Sequence, residues 1–216
     1  MDEFWSEKEQ LERLRQWWRE NGWYLIGGVA IGALALFGWN QYQSYQERRS
    51  EEAAALYLNL QLAVTEDRAA EAEQLLARLR SDYTGNAYTD QAGLLVARQH
   101  MLATAPDRAA TELRYVMENS GDPDLSLVAR LRLARVLAYR EQYQDALALL
   151  EVPNVGNFAG AYREVAGDIH YALGDYAAAR AAYLQALSGP GADALDRNLV
   201  QMKLNQLDSA AAAEAA

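Results

Sequence analysis

The chain predicts an all-α fold: a single N-terminal transmembrane helix followed by a tetratricopeptide-like helical-repeat solenoid. Three observations carry this. Between Glu20 and Glu47 there is no charged residue, and Trp23 to Trp39 is continuously apolar. Everything after that stretch is rich in alanine and leucine, poor in proline and free of two-residue alternation, which is the pattern of helices packed on helices. A helix-pair unit also recurs along the remainder every 33 to 37 residues, within the range of helical solenoid repeats.

The apolar stretch comes first. At ~1.5 Å per residue, Trp23 to Trp39 makes about 25 Å of helix, and uncharged turns from Asn21 to Gln46 extend it across a hydrocarbon layer of ~30 Å. Trp23, Tyr24, Trp39, Tyr42 and Tyr45 stand at its two ends, where amphipathic rings favour the lipid interface. A cleaved secretory signal needs a basic start and a small-x-small site after the apolar run. Here the leader is mixed in charge, and Gly38 to Tyr42 offers no such site. A buried core helix is the other alternative, but the alanine-rich remainder can cover its own core. The expected organisation is a cytoplasmic leader over 1–20, a transmembrane helix over 21–46, a repeat domain over 47–208 and a disordered tail over 209–216.

Lys8, Arg13, Arg15 and Arg19 precede the span, and Arg48 and Arg49 follow it. That bias keeps the N-terminus cytoplasmic and puts the repeat domain outside. In the leader, Leu11, Leu14, Trp17 and Trp18 recur at helical spacing, as in a helix lying on a membrane surface. Within the span, Gly28, Gly32 and Ala35 line one face, a small-residue stripe against which another transmembrane helix can pack closely.

In the repeats, Leu60, Ala97, Ala134 and Gly167 share one register, and Ala72, Ala109, Ala146 and Ala179 share a second. Tyr143 and Tyr176 share a third. Small residues at such places let paired helices approach, and a larger residue such as Tyr183 fills the space beside them. Gly174 ends one helix and Asp175 caps the next. Helices are predicted near 67–80, 86–103, 107–118, 124–140, 142–151, 157–173 and 175–188. The first helix runs from about Ser6 through the span to about Val64. A final helix near 192–207, with Leu195, Leu199, Met202 and Leu207 on its apolar side, caps the stack, as solenoids require.

The first helix of each pair lines the concave surface of a solenoid. By register, Tyr57, Gln61, Leu94, Arg98, Met101, Arg135, Glu164, Asp168 and Tyr171 are the candidate partner-binding residues. Arg98 and Arg135 occupy one register position, which Asp168 takes in the last repeat. Such a mixed surface suits peptides or partner helices.

Reactive chemistry has no foothold. His100 and His170 are the two histidines, they fall in different repeats, and there is no cysteine, so no catalytic or metal site and no cofactor is expected. His170 stands where an aromatic residue normally packs. Residues 47–216 hold 16 basic and 24 acidic side chains, which argues against nucleic acid as a partner.

The hairpin Gly167 to Leu187 resembles a tetratricopeptide repeat closely, and the earlier copies match it in spacing. More specifically, the chain resembles the YfgM-type ancillary subunits of the SecYEG translocon, nearly end to end. The resemblance rests on Glu20-Asn21-Gly22, Gly38-Trp39, Leu131-Arg132-Leu133-Ala134-Arg135, Gly167-Asp168, Gly174-Asp175, Ala179-Arg180 and Gln201 to Leu207. It implies a bacterial inner-membrane protein with a periplasmic repeat domain. The implied partners are the SecYEG translocon, a periplasmic chaperone of the membrane-anchored foldase type, exported client proteins and the lipid bilayer. It also implies a non-enzymatic role in the handover of exported proteins. A repeat scaffold for another envelope assembly, in cofactor maturation or pilus biogenesis, is the alternative the fold leaves open.

Overall fold

The computed structural model describes residues 7–214, with side chains described over 10–207. Ser6, the Lys8 side chain and the last two residues of the tail lie outside these bounds. The described chain is helical throughout and contains no strand. Its contacts divide it into two units, 1–51 and 52–216.

The first unit is helix from Glu7 onward, the N-terminal part of α1 (Glu7–Thr65). Among the described residues, α1 is the one helix long and apolar enough to cross a membrane. Its apolar side chains are bare on all faces: Trp23 is 82% exposed, Leu34 71% and Phe37 71%. A helix apolar all round needs lipid or protein around it. A Cβ added at Gly28 or Gly32 would meet nothing within 4 Å, and Ala35 is exposed beside them.

The second unit begins with the last turns of α1. It continues through α2 (Ala69–Asp82), α3 (Ala87–Leu102), α4 (Pro106–Asn119), α5 (Pro123–Tyr139), α6 (Tyr143–Leu150), α7 (Ala159–Ala172), α8 (Tyr176–Ser188) and α9 (Arg197–Glu214). Sequence boundaries hold to within about two residues for most of these. The final helix is the exception. Instead of one helix near 192–207 there is a 3₁₀ turn at Ala192–Ala194, followed by α9. Asp196 starts α9 by accepting from the amides of Asn198 and Leu199, both at 3.1 Å.

Consecutive helices form four hairpins joined by the same turn. Asp67, Thr104, Glu141 and Gly174 all have positive φ, at 57°, 54°, 60° and 79°. After each of them, the amide of Arg68, Ala105, Gln142 or Asp175 donates to the carbonyl five residues back, at 2.8 to 2.9 Å. The left-handed residues donate to the carbonyl three back, at 2.9 to 3.2 Å. Together these bonds form the Schellman ending, which satisfies the last carbonyls of a helix and reverses the chain. The second helix then opens on a capping group in the last hairpin, where Asp175 accepts from Ala178. In the hairpin of α3 and α4 a proline, Pro106, stands at the first turn instead.

The small-residue registers lie where the helices touch. Ala72, Ala109, Ala146 and Ala179 are all fully buried, as are Leu60 and Ala134. A Cβ added at Gly167 would sit 2.5 Å from Cε1 of Tyr183, so α7 and α8 are in backbone-to-ring contact there. Three apolar clusters result. The first joins the end of α1 to α2 and α3, with Leu60, Leu79 and Val96. The second, around Leu113, Leu133 and Ile169, joins α3 to α7. The third pairs Ala179 and Tyr183 of α8 with Val200, Leu204 and Leu207 of α9.

That third cluster corrects the expected face of the capping helix. Leu207 is buried and Leu195 packs against the cluster as anticipated, but Leu199 is 40% and Met202 60% exposed, and the buried stripe of the helix is Val200, Leu204 and Leu207. The helix is rotated by about one residue because Lys203, on the inner side, ion-pairs with Glu164 and Asp168 of α7.

Candidate interaction groove

The nine candidates fall into three groups. At the start of the repeat unit, the Tyr57 ring tilts against Tyr88, centroids 5.8 Å apart, and Gln61 donates to the Tyr57 hydroxyl at 3.0 Å. At the far end, Lys203 Nζ lies 2.8 Å from Glu164 Oε1 and 2.8 Å from Asp168 Oδ2. The Tyr183 hydroxyl donates to Asp168 Oδ1 at 2.8 Å. Tyr171 tilts against Tyr176 at 5.6 Å and accepts a long bond from Gln206. Both ends are therefore engaged by the molecule's own side chains.

The middle is different. Leu94, Arg98, Met101 and Arg135 meet in one open cavity of about 620 Å³ between α3 and α5, together with Ala97, Leu113, Arg132, Val136 and Tyr139. Leu94, Ala97, Leu113 and Val136 are buried and form an apolar floor. Arg98, Arg132 and Arg135 are exposed on the rim, and Tyr139 is 66% exposed beside them. Arg132 and Tyr139 were not candidates by register. They reach the cavity because residues three and four apart share a helix face, and Arg132 and Tyr139 flank Arg135 at those spacings.

Electrostatics separates the middle from the end. Lys203 is pulled down by burial, but its hydrogen bonds to Asp168 and Glu164 outweigh this and hold its ammonium above the ordinary lysine value. Tyr183 is pushed up by burial and by the Asp168 carboxylate. In the middle cavity, burial and the Arg135 and Arg98 guanidiniums pull Arg132 below the usual arginine value.

The histidines lie apart from the groove. His100 is 6% exposed in α3, with Nε2 3.9 Å from Glu73 Oε1. Burial and Arg108 lower it against the opposing pull of Glu73 and Glu112. His170 is half-buried and lines a cavity of about 390 Å³ with Leu147, Leu150 and Tyr162. Among the described residues no cluster of histidine and carboxylate groups could hold a metal ion.

Stacked helix hairpins, an apolar-floored groove and a helix of membrane-crossing length define a class, the helical-repeat proteins with one apolar N-terminal helix. A family model described as a tetratricopeptide repeat-like domain matches residues 15–209. Proteins named ancillary SecYEG translocon subunit are similar over almost their whole length. That of Aggregatibacter actinomycetemcomitans is 32% identical over 94% of this chain and 98% of its own. Those of Escherichia coli strain K12 and Neisseria gonorrhoeae are each 30% identical, over 96% and 94% of this chain and 99% and 97% of their own. The chain belongs to the ancillary SecYEG translocon subunit family. No solved structure matches the chain significantly. The family names and the repeat fold indicate an ancillary, non-catalytic subunit, and the apolar helix fits a membrane anchor.

Proposed function

We propose that the chain is an inner-membrane subunit that stands beside SecYEG, holds its repeat domain in the periplasm and assists the handover of exported proteins to a periplasmic chaperone of the membrane-anchored foldase type. The observation that carries this reading is the end-to-end similarity to the named relatives, which spans both the apolar helix and the repeats. The charge bias around the span supports a cytoplasmic N-terminus. The mechanism is effective concentration: a tether confines the domain near the channel, so weak contacts with emerging chains or chaperones recur often. Of the groove candidates, Leu94, Arg98, Met101 and Arg135 at the open central cavity carry those contacts, and the stripe of Gly28, Gly32 and Ala35 packs against a partner span.

The test is photocrosslinking in native membranes, with photoreactive residues at Tyr139 on the cavity rim and at Leu102, the 76% exposed last residue of α3. Translocon and chaperone adducts are expected; recovery of unrelated abundant proteins alone would refute the assignment. Protease added to intact spheroplasts should degrade the repeat domain, and degradation only in inverted vesicles would reverse the topology. For the stripe, Gly28→Leu with Gly32→Leu should reduce co-purification of the translocon; unchanged recovery would remove that role.

A further inference from the structure

Three guanidiniums share the rim of the central cavity, and none of them makes an ion pair among the described residues. The three charges are gathered at one rim although residues 47–216 carry an excess of acidic side chains, and several cations elsewhere in the domain do find carboxylates: Arg80 with Glu112, Arg108 with Glu73, Arg140 with Asp107, Lys203 with Glu164 and Asp168. Arg132 is lowered first by burial and then by the Arg135 and Arg98 guanidiniums, so the three like charges gathered at one rim repel one another. A cluster of that kind is relieved when an anion enters.

The cavity also describes the rest of the ligand. Its floor is aliphatic, with Leu94 buried and Met101 half-buried, and a thioether adapts to varied apolar shapes. Tyr139 at the mouth offers a large amphipathic contact of the kind that anchors protein interfaces. An isolated phosphate would leave that floor uncovered. Arginine forks match carboxylates bidentately.

We propose that the cavity of Leu94, Arg98, Met101, Arg132, Arg135 and Tyr139 binds a peptide segment of a partner protein that pairs acidic side chains with apolar neighbours. This deepens the reading above and rests on it for the nature of the partner. The net acidic charge of the domain disfavours such a segment elsewhere, which makes the arginine-rimmed cavity its favoured place. The engaged ends of the groove, closed by Gln61 on Tyr57 and by Lys203 on Asp168, limit the ligand to the middle.

The full-length chain in detergent micelles is titrated against two fluorescent synthetic peptides, one amphipathic with leucines and glutamates, the other with glutamine replacing every glutamate. The acidic peptide is expected to bind about tenfold tighter, equivalent to about 1.4 kcal/mol, with the difference shrinking as salt rises. R98Q/R132Q/R135Q should abolish the preference and keep weak binding of both peptides, while R98K/R132K/R135K should keep part of it. Equal affinity for the two peptides, or an unchanged preference in the glutamine variant with native helical circular dichroism, would overturn the proposal. Displacement of the peptide by short-chain phosphatidylglycerol at lower concentration than by unlabelled peptide would overturn it in favour of a lipid headgroup. Co-purification of the translocon is measured separately on the wild-type chain. Its loss with the peptide preference intact sinks the reading of function and leaves the cavity's chemistry standing.

Discussion

Gly167 and Tyr183 have no room between them for a methyl group, since a Cβ on Gly167 would approach the ring to 2.5 Å. Tyr183 cannot retreat easily, because its hydroxyl is held by Asp168 and its ring is 3% exposed. Gly167→Ala should therefore destabilise the repeat unit by about 2 kcal/mol, the usual size of overpacking in a filled core, read as a lower thermal midpoint. The glycine was legible in the sequence because it shares a register with Ala134 and Ala97, so its role as a small contact residue could be inferred. The identity of the ring that meets it followed from the tyrosine one helix later.

His100 gives a pH dependence whose sign is fixed. Its folded pKa lies below its ordinary value, so around neutrality and below the unfolded chain binds the extra proton first. The stability it contributes is complete above the unfolded pKa of about 6.5 and is lost as pH falls through that value toward the folded one. Melts of wild type and His100→Gln should thus converge as the buffer is taken from about pH 7.5 to about pH 5. A constant separation would show that the imidazole is not held neutral.

Among the elements, the hairpin turn recurs in four copies, and only the last has glycine at the left-handed position. The other three place Asp67, Thr104 and Glu141 there, and a side chain in that conformation costs roughly 1–2 kcal/mol. Part of any gain from glycine is offset in the unfolded chain. Glu141→Gly should therefore stabilise by about 0.5 kcal/mol, and Gly174→Ala should destabilise by about 1 kcal/mol. This is also why the earlier repeats were hard to read. Glycine marks such a turn in sequence, and without it only the spacing remained to reveal that all four hairpins close alike.

The capping helix shows the opposite limit. Its existence was legible from apolar periodicity, but its buried face was displaced by about one residue, because Leu199 and Met202 look as apolar as Val200 and Leu204. What selects the face is Lys203 meeting Glu164 and Asp168, residues 39 and 35 positions earlier. Lys203→Met should destabilise by about 1 kcal/mol, a modest figure because the Asp168 side chain is 43% exposed and solvent screens the pair. Adding Glu164→Gln and Asp168→Asn should recover much of that loss, since the harm comes from stranded carboxylates. With Lys203 raised in the fold, its contribution is present below about pH 10.5 and fades as pH climbs through the folded value.

For the molecule as a whole, the sequence revealed the two parts and the register of the groove, while the groove's occupancy was legible only in part. Leu94, Arg98, Met101 and Arg135 do gather, since register alone brings first helices side by side. That Tyr57, Gln61, Glu164, Asp168 and Tyr171 are engaged internally depends on partners in other helices, which register does not reveal. At this scale the division at residue 51 is testable. Deleting residues 1–51 should move the protein from the membrane to the soluble fraction with its helical circular dichroism intact, because three apolar clusters lie beyond that point.

The α8 and α9 helices keep an apolar cluster of their own, and in a stack of hairpins each unit leans only on its neighbours. The C-terminal end can consequently fray and reseal on its own while the helices that frame the arginine-rimmed middle stay folded. Amide hydrogen exchange would register this as a gradient, fastest in α9, slower in α7 and slowest in the tightly buried turns of α5.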